Sequence, residues 1–192
     1  MPMPVKTRRW TRVEYERLIE HGLFQPNERV ELLDGLLVVR EPQGSLHAMV
    51  VTAVRRALER AFGDGYHVRD EKPVALDKAS EPEPDLAVVR GGLWTYRLGH
   101  PATPALLVEV ADTSLSLDRR WKGGLYARAG IREYWIVNLT DEVLEVYRQP
   151  VRSAASRHGS KYRSVRLLRR GATVTPLAAT RRVAVADLLP PR

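Results

Sequence analysis

The apolar residues of this chain recur with two different periods. Runs that alternate with period two and are rich in branched residues occur at about 66–76, 84–90, 105–111, 133–138 and 142–148, and predict strands. Leu46, Met49, Val50, Ala53, Val54, Ala57, Leu58 and Ala61 recur at helical spacing instead. They predict a long amphipathic helix capped by Ser45, running to about Phe62 and closed by Gly63-Asp64-Gly65. Leu117, Trp121, Leu125 and Ala129 mark another helix over roughly 117–129, with Gly130-Ile131 as its C-cap. A shorter first helix is expected near 11–21, where Thr11 and Glu14 make a capping box and Trp10 and Tyr15 a hydrophobic staple. Asp34-Gly35, set between the apolar runs 29–33 and 36–39, predicts a β-hairpin.

The order of these elements constrains topology. A strand–helix–strand unit as long as 105–138 is a right-handed crossover, so its two strands should be parallel neighbours in one sheet. The expected fold is α/β, a mixed central sheet flanked by helices, with an additional N-terminal hairpin. Two or three short C-terminal strands should follow, punctuated by Pro176 and Pro190-Pro191. A length of 192 residues suits a single domain, with a core over about 10–148 and an extension over 150–192.

Composition narrows the class. The chain has no cysteine, which excludes a disulfide framework, a zinc ribbon and an iron–sulfur site, and suits a reducing cytoplasm. Met1-Pro2-Met3-Pro4-Val5-Lys6 has no apolar leader core, and no segment approaches the ~18 apolar residues of a membrane span. A cytoplasmic protein, neither secreted nor membrane-embedded, is the expectation. The net charge of +8 is unevenly placed: residues 150–192 hold ten Lys and Arg against one acid, so the rest sums to −1. That segment either binds a polyanion, with Arg166, Arg169 and Arg170 as nucleic-acid contacts, or is a solvated basic face.

Two acids stand where a buried strand would not tolerate them unpaired: Asp85, following Pro84, and Glu109, within Leu106-Leu107-Val108-Glu109-Val110-Ala111. Pleat puts Leu107, Glu109 and Ala111 on one face and Leu106, Val108 and Val110 on the other. A carboxylate flanked by branched apolar residues needs a partner, and two hard oxygen ligands with water suit Mg²⁺. Lys122, on the neighbouring helix, can orient a metal-bound water or neutralise charge on phosphorus, unless it only pairs with Asp118 one turn away.

In order along the chain, Glu31-Leu32-Leu33-Asp34-Gly35, His47, Glu71 before Pro73-Val74, Pro84-Asp85-Leu86, Val108-Glu109-Val110, Asp118 with Lys122 and Tyr126, and Glu133-Tyr134-Trp135-Ile136-Val137 resemble the Uma-type restriction endonucleases. These are a bacterial branch of the PD-(D/E)XK nuclease superfamily. The resemblance runs from about Trp10 to Tyr147. It implies a restriction-endonuclease-like core and Mg²⁺-dependent hydrolysis of nucleic-acid phosphodiesters, DNA before RNA, with Mn²⁺ as a substitute ion. It makes Asp85 and Glu109 the metal ligands, Lys122 the catalytic lysine and Glu31 an accessory acid, with His47, Glu71, Asp118 and Tyr126 as further candidates. The superfamily's usual lysine lies two residues after the glutamate, where this chain has Ala111, so the role passes to Lys122. Glu31 can alternatively answer an arginine on the adjacent strand, and His47 can be a satisfied histidine. A homodimer is also expected, since a duplex has two strands to cut. The competing reading is a protein of the same fold that binds nucleic acid or a partner with little turnover.

Overall fold

The structure is a computed structural model that describes residues 7–40 and 42–191; residues 1–6, read above for their lack of a leader core, lie outside the described residues, as do Glu41 and Arg192. Helix α1 (Arg12–Glu20) opens on the expected capping box, with Thr11 and Glu14 each accepting the other's backbone N–H. Strands β1 (Val30–Leu33) and β2 (Leu36–Val39) form the hairpin, and its turn holds Asp34 and Gly35 at φ 51° and 77°. Both positive angles are what a two-residue I′ turn demands, and at Gly35 a Cβ would lie 2.6 Å from that of Arg9. Glycine is the residue that fits.

Helix α2 (Ser45–Phe62) follows the predicted period, but Ser45 is not its cap. Gly44 holds that position with no side-chain cap, and it lines the cleft described below. The main sheet has the order β3-β4-β5-β6-β7-β8, from β3 (Tyr66–Asp70), β4 (Leu86–Arg90), β5 (Leu106–Ala111), β6 (Glu133–Asn138), β7 (Val143–Arg152) and β8 (Ser160–Arg169). As the crossover argument requires, β5 and β6 run parallel; the other neighbours run antiparallel. The strand expected over 66–76 stops at Asp70, where the chain leaves the extended region as Glu71 turns to φ 49°.

The crossover is not one regular helix. It consists of α3 (Leu115–Leu117), a π-helical segment (Asp118–Lys122) and α4 (Gly123–Arg128), with Gly123 N–H donating to the Asp118 carbonyl five residues back. Gly130, at φ 76°, ends it as expected, and Ile131 N–H donates to the Tyr126 carbonyl in a Schellman closure.

Two cores cover the sheet. On one face α2 packs Val50, Val54, Leu58 and Phe62 against Leu106, Val108, Val110 and Trp135. Each fully buried side chain of this kind contributes roughly 2 kcal/mol. On the other face the crossover and hairpin bury Leu33, Leu125 and Tyr126 against Leu107, Ala111, Tyr134 and Ile136. The C-terminal stretch carries the expected short strands and also packs into the core. Strand β8 spans ten residues at the sheet edge, and Leu168, Val174, Val183, Val185 and Leu188 belong to the α2-side core, with β9 (Thr173–Val174) and β10 (Val183–Ala184) as a small second ribbon. Among the described residues no helix is long and apolar enough to cross a membrane.

Behind β1, Glu81 is buried at 1% exposure, and its Oε2 has no hydrogen-bond partner among the described residues; Arg12 stands 3.7 Å away. Burial, aided by the charge of Glu16 and opposed by Arg12, pushes its carboxyl up to about 7. A raised carboxyl favours folding fully below its unfolded value and loses that contribution as pH climbs through the folded one. The variant Glu81→Gln should therefore gain stability relative to wild type between pH 4.5 and 7.5, by up to about 3 kcal/mol. Urea unfolding of both proteins across that range checks it, and a pH-independent difference would show that Glu81 is not buried as a proton-binding acid.

Candidate active site

Continuing the β4–β5 register one residue past Leu86↔Val108 places Asp85 directly across from Glu109. Residues opposite each other share a face, so both carboxylates emerge on the crossover side. There they meet the face that Asp118, Lys122 and Tyr126 make by recurring every fourth residue, and Glu31, which β1 carries on the same side as Leu33.

The hydrogen bonds are specific. Asp85 Oδ2 accepts Val110 N–H at 2.7 Å, while its Oδ1 accepts Arg40 Nη2 at 3.1 Å and Gln43 Nε2 at 3.3 Å. His47 Nε2 also lies 3.3 Å from Oδ1, out of line for a hydrogen bond. Glu109 Oε1 accepts Lys122 Nζ at 3.1 Å and the Tyr126 hydroxyl at 2.7 Å. Its Oε2 receives only a long 3.4 Å contact from Asp85 N–H. Lys122 Nζ also stands 3.4 Å from Glu31 Oε1, and Glu31 Oε2 accepts Glu83 N–H at 3.0 Å. Asp118 takes the Ser114 hydroxyl at 2.6 Å rather than the lysine. These groups line a cleft of about 470 Å³ that also reaches Gly44 at the start of α2.

Charge does not balance here. Among the described residues Glu31, Asp85, Glu109 and Asp118 are at most 2% exposed, against two permanent cations, Lys122 at 3% and Arg40 with a 12% exposed side chain. Ionised, the four acids exceed those cations by two charges. The consequence is visible in their proton affinities. Burial pushes Glu109 up to about 8, with Lys122 opposing and Asp85 and Asp118 adding, and burial pushes Asp118 up to about 6. Burial would raise Asp85 too, but His47, Lys122 and Val110 N–H hold it below the usual carboxylate value. Lys122 is pulled above an ordinary lysine because Glu109, Glu31 and Asp118 outweigh its own desolvation.

The donor set fits a hard divalent ion. The carboxylate oxygens with spare lone pairs, Asp85 Oδ2 with one N–H and Glu109 Oε2 with one long contact, belong to two acids on adjacent strands. Among the described residues no three or more His, Asp or Glu side chains converge as a ready-made cage. Magnesium does not need one, since it keeps several waters and takes one or two protein carboxylates.

Of the residues singled out in the sequence, Asp85, Glu109, Lys122, Glu31, His47, Asp118 and Tyr126 come together at or beside this cleft. Glu71 does not: it is a partly exposed partner of Arg29 at 3.2 Å. Glu31 meets Lys122, not an arginine of the neighbouring strand. Arg166, Arg169 and Arg170 form no common patch. Arg166 and Arg169 sit opposite Val146 and Val143, three residues apart on β8, so pleat sends them to opposite faces, and Arg170 is engaged by the Pro190 carbonyl and Glu142. They lie three strands from β5, about 14 Å at ordinary strand spacing. Sequence reasoning missed Arg40, Gln43 and Ser114. Arg40 carried a signal, because the Asp34-Gly35 turn puts Val38 opposite Glu31, and Arg40 continues the face of Val38.

A mixed sheet with an acid pair on adjacent strands and a lysine on the crossover helix is a nuclease-type α/β architecture. A solved structure described as "a putative nuclease belonging to DUF820", from Anabaena variabilis, shares the fold with a TM-score of 0.67, over 88% of this chain and 94% of that one, at 14% identity. No curated protein is similar enough to count as a match. The family model described as "Putative restriction endonuclease" (Uma2) matches residues 12–186, and the chain belongs to that family.

The lysine should be the keystone of this cluster. Lys122→Met removes a buried partner of Glu109 and Glu31 and should destabilise the fold by about 3–5 kcal/mol. Adding Glu109→Gln should recover part of that, because one uncompensated acid goes with it. Denaturant unfolding of the single and double variants measures the coupling; a Lys122→Met loss no larger than that of a surface substitution would refute it.

Proposed function

We propose that this chain is a Mg²⁺-dependent endonuclease that hydrolyses phosphodiester bonds of DNA, with Mn²⁺ as an alternative ion. The observation that carries the reading is the pair of excess negative charges in a buried, cleft-lining carboxylate cluster, which a divalent cation would complement. Asp85 and Glu109 would hold the ion, which when bound supplies Lewis acidity to a phosphoryl oxygen and makes water a better nucleophile.

The chain's own residues orient and neutralise. Lys122 donates one N–H to Glu109 and pairs with Glu31 at 3.4 Å, and a remaining N–H can position the attacking water or neutralise charge developing on phosphate oxygens. The Tyr126 hydroxyl fixes the rotamer of Glu109. Arg40 and Gln43 hold Asp85 and bring charge-assisted donors to the place where a phosphate would enter. A duplex has two strands, so a homodimer presenting two such clefts completes the proposal.

The test is incubation of the purified chain with plasmid DNA, single-stranded DNA and RNA in Mg²⁺, Mn²⁺ or EDTA. Plasmid should be cut with either metal and spared in EDTA. Asp85→Ala and Glu109→Ala should keep the fold yet lose at least about a hundredfold in rate, since the ion contributes several kcal/mol to charge stabilisation. Mg²⁺ should also raise the melting temperature of the wild type and not that of either variant. A wild-type protein that binds DNA but cuts nothing with any ion would leave the nucleic-acid-binding reading in its place.

A further inference from the structure

A second cavity, of about 320 Å³, lies against the same crossover and is walled by four cations, Arg119, Arg120, Arg157 and Lys161, with no carboxylate in its lining among the described residues. One of the four is spent: Arg119 is clamped by buried Glu145, with Nε 3.0 Å from Oε2. The other three meet no acid within 4.0 Å among the described residues. Arg157 is nonetheless held in place, since its guanidinium lies 4.2 Å from the centroid of the Trp121 ring. A cation–π contact fixes position without cancelling charge.

The cavity is built by the fold and is not a chance cluster of surface side chains. The loop joining β7 to β8 lies down on the crossover because position 124 is glycine: a Cβ there would come 2.9 Å from the His158 ring. The descent brings Arg157, and Lys161 at the start of β8, to the same cavity as Arg120, with Tyr147 and Tyr162 in its wall. Three like charges around one concavity repel one another, and an anion seated there relieves that repulsion.

Its relation to the cleft identifies the anion. Asp118 and Lys122 of the π-helical segment line the cleft, while Arg119 and Arg120 between them, and Gly123 just after, line the cavity. One helical segment therefore separates the two, and its width of about 10 Å corresponds to about three nucleotides of rise along a strand. Resting on the nuclease reading above, we infer that this cavity binds a backbone phosphate of the same strand whose scissile phosphodiester occupies the cleft.

The experiment measures affinity for labelled duplex DNA and RNA against salt, in EDTA, for the full chain. It compares wild type, the triple variant Arg120→Gln with Arg157→Gln and Lys161→Gln, and a control double variant, Arg166→Gln with Arg169→Gln, which removes two cations outside the cavity. Three cations sharing one phosphate should lower the slope of log K against log salt by about 0.9 on duplex DNA, not by three times that. Binding should weaken roughly tenfold, and the double variant should keep the wild-type slope. Should the triple variant fail to fold, Arg120→Gln and Lys161→Gln singly should each weaken binding roughly fivefold. Wild-type binding with an unchanged slope and affinity in the triple variant would overturn the inference and leave the nuclease reading standing. Loss of slope in the control alone would move the contact to β8 and overturn it too. Absence of salt-dependent binding to any nucleic acid by the wild type would instead defeat the nuclease reading, and this inference with it.

Discussion

Four carboxylates held out of water around one lysine and one arginine are the constraint to which the rest of this molecule answers. Burying an ionised acid without a partner is expensive, and the usual remedy is an arginine. The fold applies that remedy elsewhere. Glu133 and Glu145 are also acids buried on strands of the same sheet, and each is closed off: Glu133 by Arg148 and the Trp135 indole, Glu145 by Arg119, Tyr147 and Asn138. Around Asp85 and Glu109 the closure is left incomplete. That difference separates a candidate active site from structural ion pairing within one chain.

Backbone geometry makes the arrangement unavoidable once the strands pair. The antiparallel β4–β5 register sets Asp85 across from Glu109, and the parallel β5–β6 pair obliges the intervening chain to cross that face of the sheet. Lysine is thereby delivered to the acids from above. The π-helical segment adds one carbonyl skipped between Asp118 and Gly123, a local widening of the kind found at functional positions in helices. Asp34 ties the hairpin to this layer through Arg128 at 2.7 Å, which holds Glu31 against Lys122.

Much of this was legible in the sequence, for physical reasons that differ from residue to residue. Glu109 announced itself because period two leaves no ambiguity about which face it occupies. The parallel pairing followed from crossover length, and the hairpin from Asp34-Gly35. Glu133 and Glu145 show the limit of the same logic, since a buried strand acid looks identical in sequence whether or not an arginine closes it. The π-helical widening was invisible because a single skipped hydrogen bond does not disturb an apolar pattern of period near four. Charge counting along 150–192 was blind to geometry. It placed cations by sequence neighbourhood, whereas β8 scatters Arg166 and Arg169 to opposite faces and commits Arg170 to Glu142 and a carbonyl.

A net negative cleft on a protein of charge +8 would repel the polyanion it is proposed to cut, and the distribution of charge resolves this conflict. Long-range attraction depends on total charge and brings the polyanion to the surface, whereas the contacts within about one Debye length, roughly 8 Å in physiological salt, decide where it stops. At that range the acids of the proposed site would face a strand's phosphate, while Arg40 in the cleft and the cations beyond the crossover would offset them. A divalent ion seated between Asp85 and Glu109 would turn the last repulsive element into an attractive one. Metal and nucleic acid should therefore bind with positive coupling, each neutralising the charge that opposes the other.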